Sequence, residues 1–167
     1  MAPPPLRKYP FTLPIQSRFP DADMYHHINN VQYYIYADTI INTYLIDNCG
    51  LQPASATASP IGLMISSSCN FYAPLHFPAI IQTGLCVRKM GKSSVEYEIG
   101  IWEKPSQEGK EGVLAAVVRC THVFVDRETR VPVGKGKGGS AEGLPQKMRE
   151  GLEKILMKEE AGRDSRL

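Results

Sequence analysis

The chain has 167 residues, 43% hydrophobic and 22% charged, with nineteen Lys and Arg against seventeen Asp and Glu for a formal charge of +2. That length fits one domain able to bury roughly two-thirds of its unfolded surface, so folding needs neither a disulfide nor a metal. The composition excludes a wholly disordered chain, a collagen repeat and a disulfide-stapled miniprotein; the charge makes no case for nucleic acid, and no apolar run reaches the roughly 18 residues of a membrane span.

Residues 1–10 contain Pro3, Pro4, Pro5 and Pro10. They lack the apolar stretch of a secretory signal, and the prolines break the amphipathic helix of a mitochondrial presequence, so an extended arm is predicted. Phe11 to Phe19 predicts a first strand, weakened by Pro14. A polar, turn-rich stretch from Pro20 to Asn30 follows. Val31 to Asp47 has no Gly or Pro and is aromatic or aliphatic on most faces, which predicts a buried helix. Asn29 or Asn30 can cap its start, and Gly50 lies just beyond its end.

After a loop rich in Ala, Ser and Pro, the hydrophobic period switches to two. Ile61 to Tyr72 and Ala79 to Lys89 predict strands. Val95, Tyr97, Ile99 and Ile101 alternate with Glu96, Glu98 and Gly100 as a third. Gly112 to Asp126 predicts a long strand with Leu114, Ala116, Val118, Cys120 and Phe124 on one face, joined to the third by a hairpin turn over Lys104 to Gly112. Val133 to Gly143 is a Gly/Lys linker, whose GKGKGGS lacks the spacing and setting of a phosphate-binding loop. Leu144 to Glu160 predicts a polar helix packed loosely outside, with Met148, Leu152, Ile155 and Leu156 on one stripe. The domain reading is therefore an arm over 1–10, a core over 11–132, a linker over 133–143, and a C-terminal helix and tail over 144–167. One hydrophobic helix followed by a run of strands predicts an α+β fold in which an antiparallel sheet wraps that helix.

Cys49, Cys69, Cys86 and Cys120 are widely spaced, with no C-x-x-C. They read as reduced thiols of an intracellular protein rather than metal ligands. The chain ends in Ser165-Arg166-Leu167, the small-basic-leucine pattern of a peroxisomal import signal. That predicts an import receptor as a partner and a peroxisomal location, the cytoplasm otherwise.

The densest polar cluster is Asp21, Asp23, Tyr25, His26, His27, Asn29 and Asn30, immediately before the predicted helix. A helix start offers unpaired N–H groups that polarise a carbonyl and hold an oxyanion. A carboxylate beside it can attack the carbonyl carbon or deprotonate a water. The two aspartates are also well placed simply to cap turns. The histidines fit no zinc spacing, and Ser66-Ser67-Ser68 lacks the context of a nucleophile elbow. His76 and His122 stand alone in the sequence and read as structural.

The run Arg18-Phe19-Pro20-Asp21-Ala22-Asp23-Met24-Tyr25-His26-His27-Ile28-Asn29-Asn30-Val31-Gln32-Tyr33 resembles the signature R-x-x-D-x-D-x-x-G-H-[VI]-N-N-x-x-Y. That is the signature of hotdog-fold acyl-CoA thioesterases of the 4-hydroxybenzoyl-CoA thioesterase type, and Tyr36 and Asp38 fit the Y-x-E that often follows. Asn70 to Leu75, Gly91-Lys92-Ser93-Ser94 and Val123 to Pro132 resemble three further segments of that family, in the same order. The resemblance implies a single hotdog domain that hydrolyses acyl-CoA to free acid and CoA. It implies Asp23 as nucleophile or general base, and helix-start N–H groups holding the thioester oxygen. It places the family His on His27, which matches a catalytic His of related acyl-carrier-protein thioesterases. Asp21 is then left to shape the loop or bind Arg18. The family Gly before that His is His26 here, at a position where Gly permits an unusual backbone or a close substrate approach.

Tyr25, His26, Tyr33 and Tyr36 are candidates to line the acyl site, the tyrosines being equally suited to the core. Arg88, Lys89 and Lys92 are candidates for the CoA phosphates, or a solvated strand end. No cofactor is implied, because CoA is part of the substrate. The resemblance also implies a homodimer or tetramer with the site at the interface. Two other readings are a hydratase or dehydratase, whose D-x-N-P-x-H is missing here, and a non-catalytic acyl or CoA binder.

Overall fold

The computed structural model describes residues 3–54, 60–105, 110, 112–135 and 142–157. In chain order the elements are β1 (Phe11–Gln16), a short 3-10 turn (Phe19–Asp21), α1 (Asn30–Cys49), β2 (Ile61–Phe71), β3 (Ile80–Met90), β4 (Ser94–Glu103), β5 (Leu114–Val125) and α2 (Gln146–Glu153). The strands form one antiparallel sheet in the order β1-β3-β4-β5-β2. The predicted α+β architecture is present. The first strand stops at Gln16, three residues short of the predicted Phe19, because Phe19-Pro20-Asp21 turns instead.

The Asn29 side chain caps α1, accepting the Val31 N–H at 3.2 Å. Gly50 ends the helix at φ 71, a left-handed conformation that suits glycine. Tyr33, Tyr36, Ala37, Ile40, Ile41, Tyr44 and Leu45 form one buried stripe against the sheet. The helix is not buried all round as predicted. Val31, Tyr34, Ile35 and Ile46 are exposed, because the sheet covers only one side. Edge strand β2 is exposed along nearly its whole length, including Leu63, Met64 and Ile65. Ile65 is the extra residue of an irregularity in the pairing with β5.

On the opposite face of the sheet, Tyr9 of the N-terminal arm lies over Gly84 and Gly100, which face each other across β3 and β4. A Cβ at either position would stand 2.5 Å from the Tyr9 ring. Beside it the buried Glu98 accepts Arg7 at 3.1 Å and Arg119 at 3.0 Å, with Arg88 at 3.6 Å. The arm is thus packed by shape and by charge.

The C-terminal helix is shorter and tighter than predicted. It ends at Glu153, and a bridge from Leu156 to Val87 extends the edge of β3 beyond β1. Met148, Leu152 and Ile155 are buried, each contributing roughly 1.5–3 kcal/mol. The Tyr44 hydroxyl donates to the Gly151 carbonyl at 2.6 Å, and a Cβ on Gly151 would lie 2.5 Å from the Asn48 carbonyl oxygen. Only a glycine lets α2 approach α1 so closely, which the apolar stripe alone does not reveal. The predicted linker residues 136–141 and the tail with Ser165, Arg166 and Leu167 lie outside the described residues.

Candidate active site

The polar stretch before α1 folds into a tight loop. An Ala22–Ile28 bridge closes its base, and the Asp23 N–H donates to the His27 carbonyl at 2.8 Å. Within it Asp23 is half-buried. Its Oδ1 accepts the N–H groups of Tyr25 at 2.8 Å and His27 at 3.2 Å. Its Oδ2 has no partner among the described residues. One oxygen is therefore fixed by the backbone, and the other is free to act on a substrate. His26 stands at φ 61. The position does require the left-handed backbone that the family glycine supplies, and here a His adopts it at a cost of about 1–2 kcal/mol.

Asp21 has a different task. It is fully buried, and its carboxylate takes the Arg18 N–H at 2.8 Å, the Arg18 guanidinium at 2.8 and 3.1 Å, and the Tyr36 hydroxyl at 3.0 Å. Its own carbonyl accepts the Asn29 N–H at 2.8 Å. Asp21 thus buckles the exit of β1 to the start of α1 and sets the loop between them. Burial alone would raise its pKa, but the bonds from Arg18 and Tyr36 outweigh burial and hold it below the ordinary carboxylate range. A carboxyl whose pKa is lower folded than unfolded stabilises the fold above the unfolded value near 3.9, and that stabilisation is lost as pH falls through the folded value. The melting temperature of wild type is therefore expected to approach that of Asp21→Asn as pH drops from about 6 to about 3, read by thermal unfolding at each pH.

At the start of α1, Val31 N–H is taken by the Asn29 side chain and Gln32 N–H by the Asn29 carbonyl. The Asn30 N–H has no protein partner among the described residues and is the donor left for an oxyanion. Tyr33 and Tyr36 are 2% exposed and belong to the core, whereas Tyr25 and His26 are exposed on the loop. Burial pushes the Tyr33 hydroxyl up to about 12, against the lowering effect of a hydrogen bond with the Leu75 backbone.

The loop between β2 and β3 completes the site in a way the linear sequence does not reveal. Its Leu75 carbonyl accepts the Ile28 N–H at 2.8 Å, pinning it to the Asp23 loop. The next residue, His76, packs its ring edge-on against His27 with centroids 5.5 Å apart. His76 Nδ1 meets Glu103 Oε1 at 3.0 Å, and the His76 backbone N–H donates to the same oxygen. Beside the pair opens a cleft of about 750 Å³ whose walls include Gln16, Leu75, Ala79, Glu103 and Val113. His76 is therefore not isolated. His122 is buried between Tyr97 and Phe124, where burial lowers its pKa and keeps it neutral, as a structural residue requires.

The three basic candidates lie elsewhere. Arg88 belongs to the Glu98 cluster on the outer face. Lys89 is the last residue but one of β3, and Lys92 packs its stem over Gly134 and Gly143. The Asp23 loop sits at the Ile80 end of β3, so an eleven-residue strand, roughly 30 Å long, separates it from Lys89 and Lys92 within one chain. No cluster of His, Cys, Asp and Glu suited to a metal occurs among the described residues. All four cysteines are free thiols. No described helix is long and apolar enough to cross a membrane.

A sheet curled around one long helix, with a half-buried carboxylate in the loop that leads into the helix, defines the hotdog thioesterase class. The profile of the thioesterase-like superfamily matches residues 17–156, and the chain belongs to that family. Among solved structures, the PA5185 protein of Pseudomonas aeruginosa is 39% identical, with a TM-score of 0.76 over 89% of this chain and 92% of that one. A 1,4-dihydroxy-2-naphthoyl-CoA thioesterase from Synechocystis shares the fold at 16% identity, with a TM-score of 0.69 over 85% and 94% of the two chains. The dynemicin thioesterase does so at 12% identity, with a TM-score of 0.73 over 88% and 97%. No curated protein matches the chain.

Proposed function

We propose that this protein hydrolyses acyl-CoA thioesters to the free carboxylic acid and CoA, with Asp23 as the catalytic carboxylate. The observation that carries the reading is the state of Asp23: one oxygen anchored by two backbone N–H groups, the other unpaired, in the loop that leads into α1. The free oxygen attacks the thioester carbon or takes a proton from the attacking water. The Asn30 N–H and the helix dipole stabilise the oxyanion. His27 gives its backbone N–H to Asp23, and its ring packs on His76. Tyr25 and His26, exposed on the same loop, meet the substrate, whereas Tyr33 and Tyr36 shape the site from the core. Free-thiol release from a panel of short, long, branched and aromatic acyl-CoAs tests the reading. Turnover of one class names the substrate. Tight binding without turnover would make the protein an acyl-CoA binder instead, and hydration of an enoyl-CoA would make it a lyase.

The working form is at least a homodimer, joined through the bare edge of β2 and the uncovered apolar face of α1. A two-fold axis turns the second copy end for end, bringing its Lys89–Lys92 end to the end of the dimer that carries Asp23. That arrangement is the one in which these lysines serve the CoA phosphates. The tripeptide Ser165-Arg166-Leu167 supports delivery to peroxisomes through an import receptor. A fluorescent protein fused ahead of the chain is expected to be punctate and to become diffuse when the three residues are deleted.

A further inference from the structure

We propose that His76, held by Glu103, is the proton donor to the departing thiol, and that Glu103 is its positioning residue. The proposal rests on the reading of Asp23 given above. It comes from a contact that neither the family signature nor the sequence spacing contains.

His76 and Glu103 are 27 residues apart and lie on different segments, the loop before β3 and the last residue of β4. Their side chains are 50% and 36% exposed. A pair so exposed contributes little to stability. Its geometry is nevertheless tightly set. One carboxylate oxygen takes both the ring Nδ1 and the backbone N–H of the same histidine, which fixes the ring plane. With the Nδ1–H given to a carboxylate, Nε2 becomes the nitrogen that exchanges protons, the division of labour seen wherever a carboxylate orients a catalytic imidazole. Nε2 has no protein partner among the described residues. The ring abuts His27, whose backbone N–H holds Asp23, and the 750 Å³ cleft opens alongside Glu103. The pair is thus joined to the Asp23 loop through His27 and to the cleft through Glu103, on a different segment from the Asp23 carboxylate.

The chemistry balances without another reactant. As the adduct on the acyl carbon collapses, the C–S bond breaks and its electron pair goes to sulfur. The proton on His76 Nε2 passes to that sulfur, releasing the thiol. The attacking water leaves its hydroxyl on the acyl carbon, and its other proton, taken up by Asp23, is the one that returns to Nε2 and restores the imidazolium for the next turnover. Glu103 stays ionised and holds the Nδ1–H throughout.

A proton donor matters most when the leaving thiolate is basic. The test uses the full chain with the benzoyl and octanoyl esters of CoA and of para-nitrothiophenol, whose thiolate leaves without help. His76→Asn is expected to lower kcat on the CoA esters by about 10²-fold, and on the nitrothiophenyl esters by less than about threefold. Glu103→Gln is expected to show the same split with a smaller loss. His76→Gln serves as a second variant if the first does not fold. An equal loss on both leaving groups, or no loss on either, overturns the proposal and assigns the pair a structural role. Asp23→Asn separates the two ideas: full activity in that variant, with the leaving-group split of His76→Asn retained, rejects Asp23 and keeps the donor. A wild type that cleaves neither ester rejects both.

Discussion

Asp23→Asn is expected to lower the kcat for acyl-CoA hydrolysis by about 10³–10⁴-fold while leaving the melting temperature nearly unchanged. The size of the effect follows from what Asn retains. Its side-chain oxygen still accepts the N–H groups of Tyr25 and His27, as Asp23 Oδ1 does. The loop, the left-handed His26 and the Ala22–Ile28 bridge therefore have no reason to move. Only the negative charge and the free, basic oxygen are removed. The variant thus separates the two tasks an aspartate can have in such a loop. A turn-capping Asp is replaced by Asn at almost no cost, since both side chains form the same turn. A nucleophile or general base is not. Thiol release and thermal unfolding measured on the same preparation decide between them, and activity within about threefold of wild type would remove Asp23 from the chemistry.

The shape of the loop that carries Asp23 is legible in the sequence because its contacts are local. Arg18, Asp21, Asp23, His27 and Asn29 lie within twelve residues of one another, and their bonds are made through the backbone of one loop and one helix start. Their spacing encodes the geometry directly. The departure at His26 is also informative, because a glycine signature at that position means a positive φ, which the structure retains with a histidine. What the sequence does not disclose are contacts made only once the sheet has closed. The His76–Glu103 pair depends on where the β2–β3 loop lands against the end of β4, and no periodicity specifies that. Gly84 and Gly100 look like weak points in strands until Tyr9 lies over both. The stripe on α2 reads as loose packing because the allowance for close approach is carried by Gly151, a residue with no side chain to signal it. The all-round hydrophobicity of α1 was legible, but its meaning was not. A helix apolar on most faces reads as fully buried, whereas its own sheet covers only one side of it.

That bare face leads to the second large effect. On the dimer proposed above, Leu63→Lys combined with Ile65→Lys is expected to leave the chain a monomer and to abolish most thiol release. Among the described residues strand β2 pairs only with β5, so its other edge presents N–H and C=O groups with no strand partner there. Its side chains add Leu63, Met64 and Ile65 at 39%, 43% and 64% exposure. Val31, Tyr34 and Ile35 at the start of α1, and Met24 and Tyr25 on the Asp23 loop, are further exposed apolar side chains. Because a two-fold interface uses the same patch twice, each substitution places like charges near one another from both copies, an arrangement that opposes strand pairing. The expected effect on activity follows from the proposed dimer, in which the second copy would cover Met24 and Tyr25, both exposed in the single chain on the loop that carries Asp23. Sedimentation velocity and thiol release are to be read on the same variant. A variant that sediments as a folded monomer and retains full turnover would mean that one chain builds the whole site, and that the lysines at the far end of β3 have no part in binding CoA.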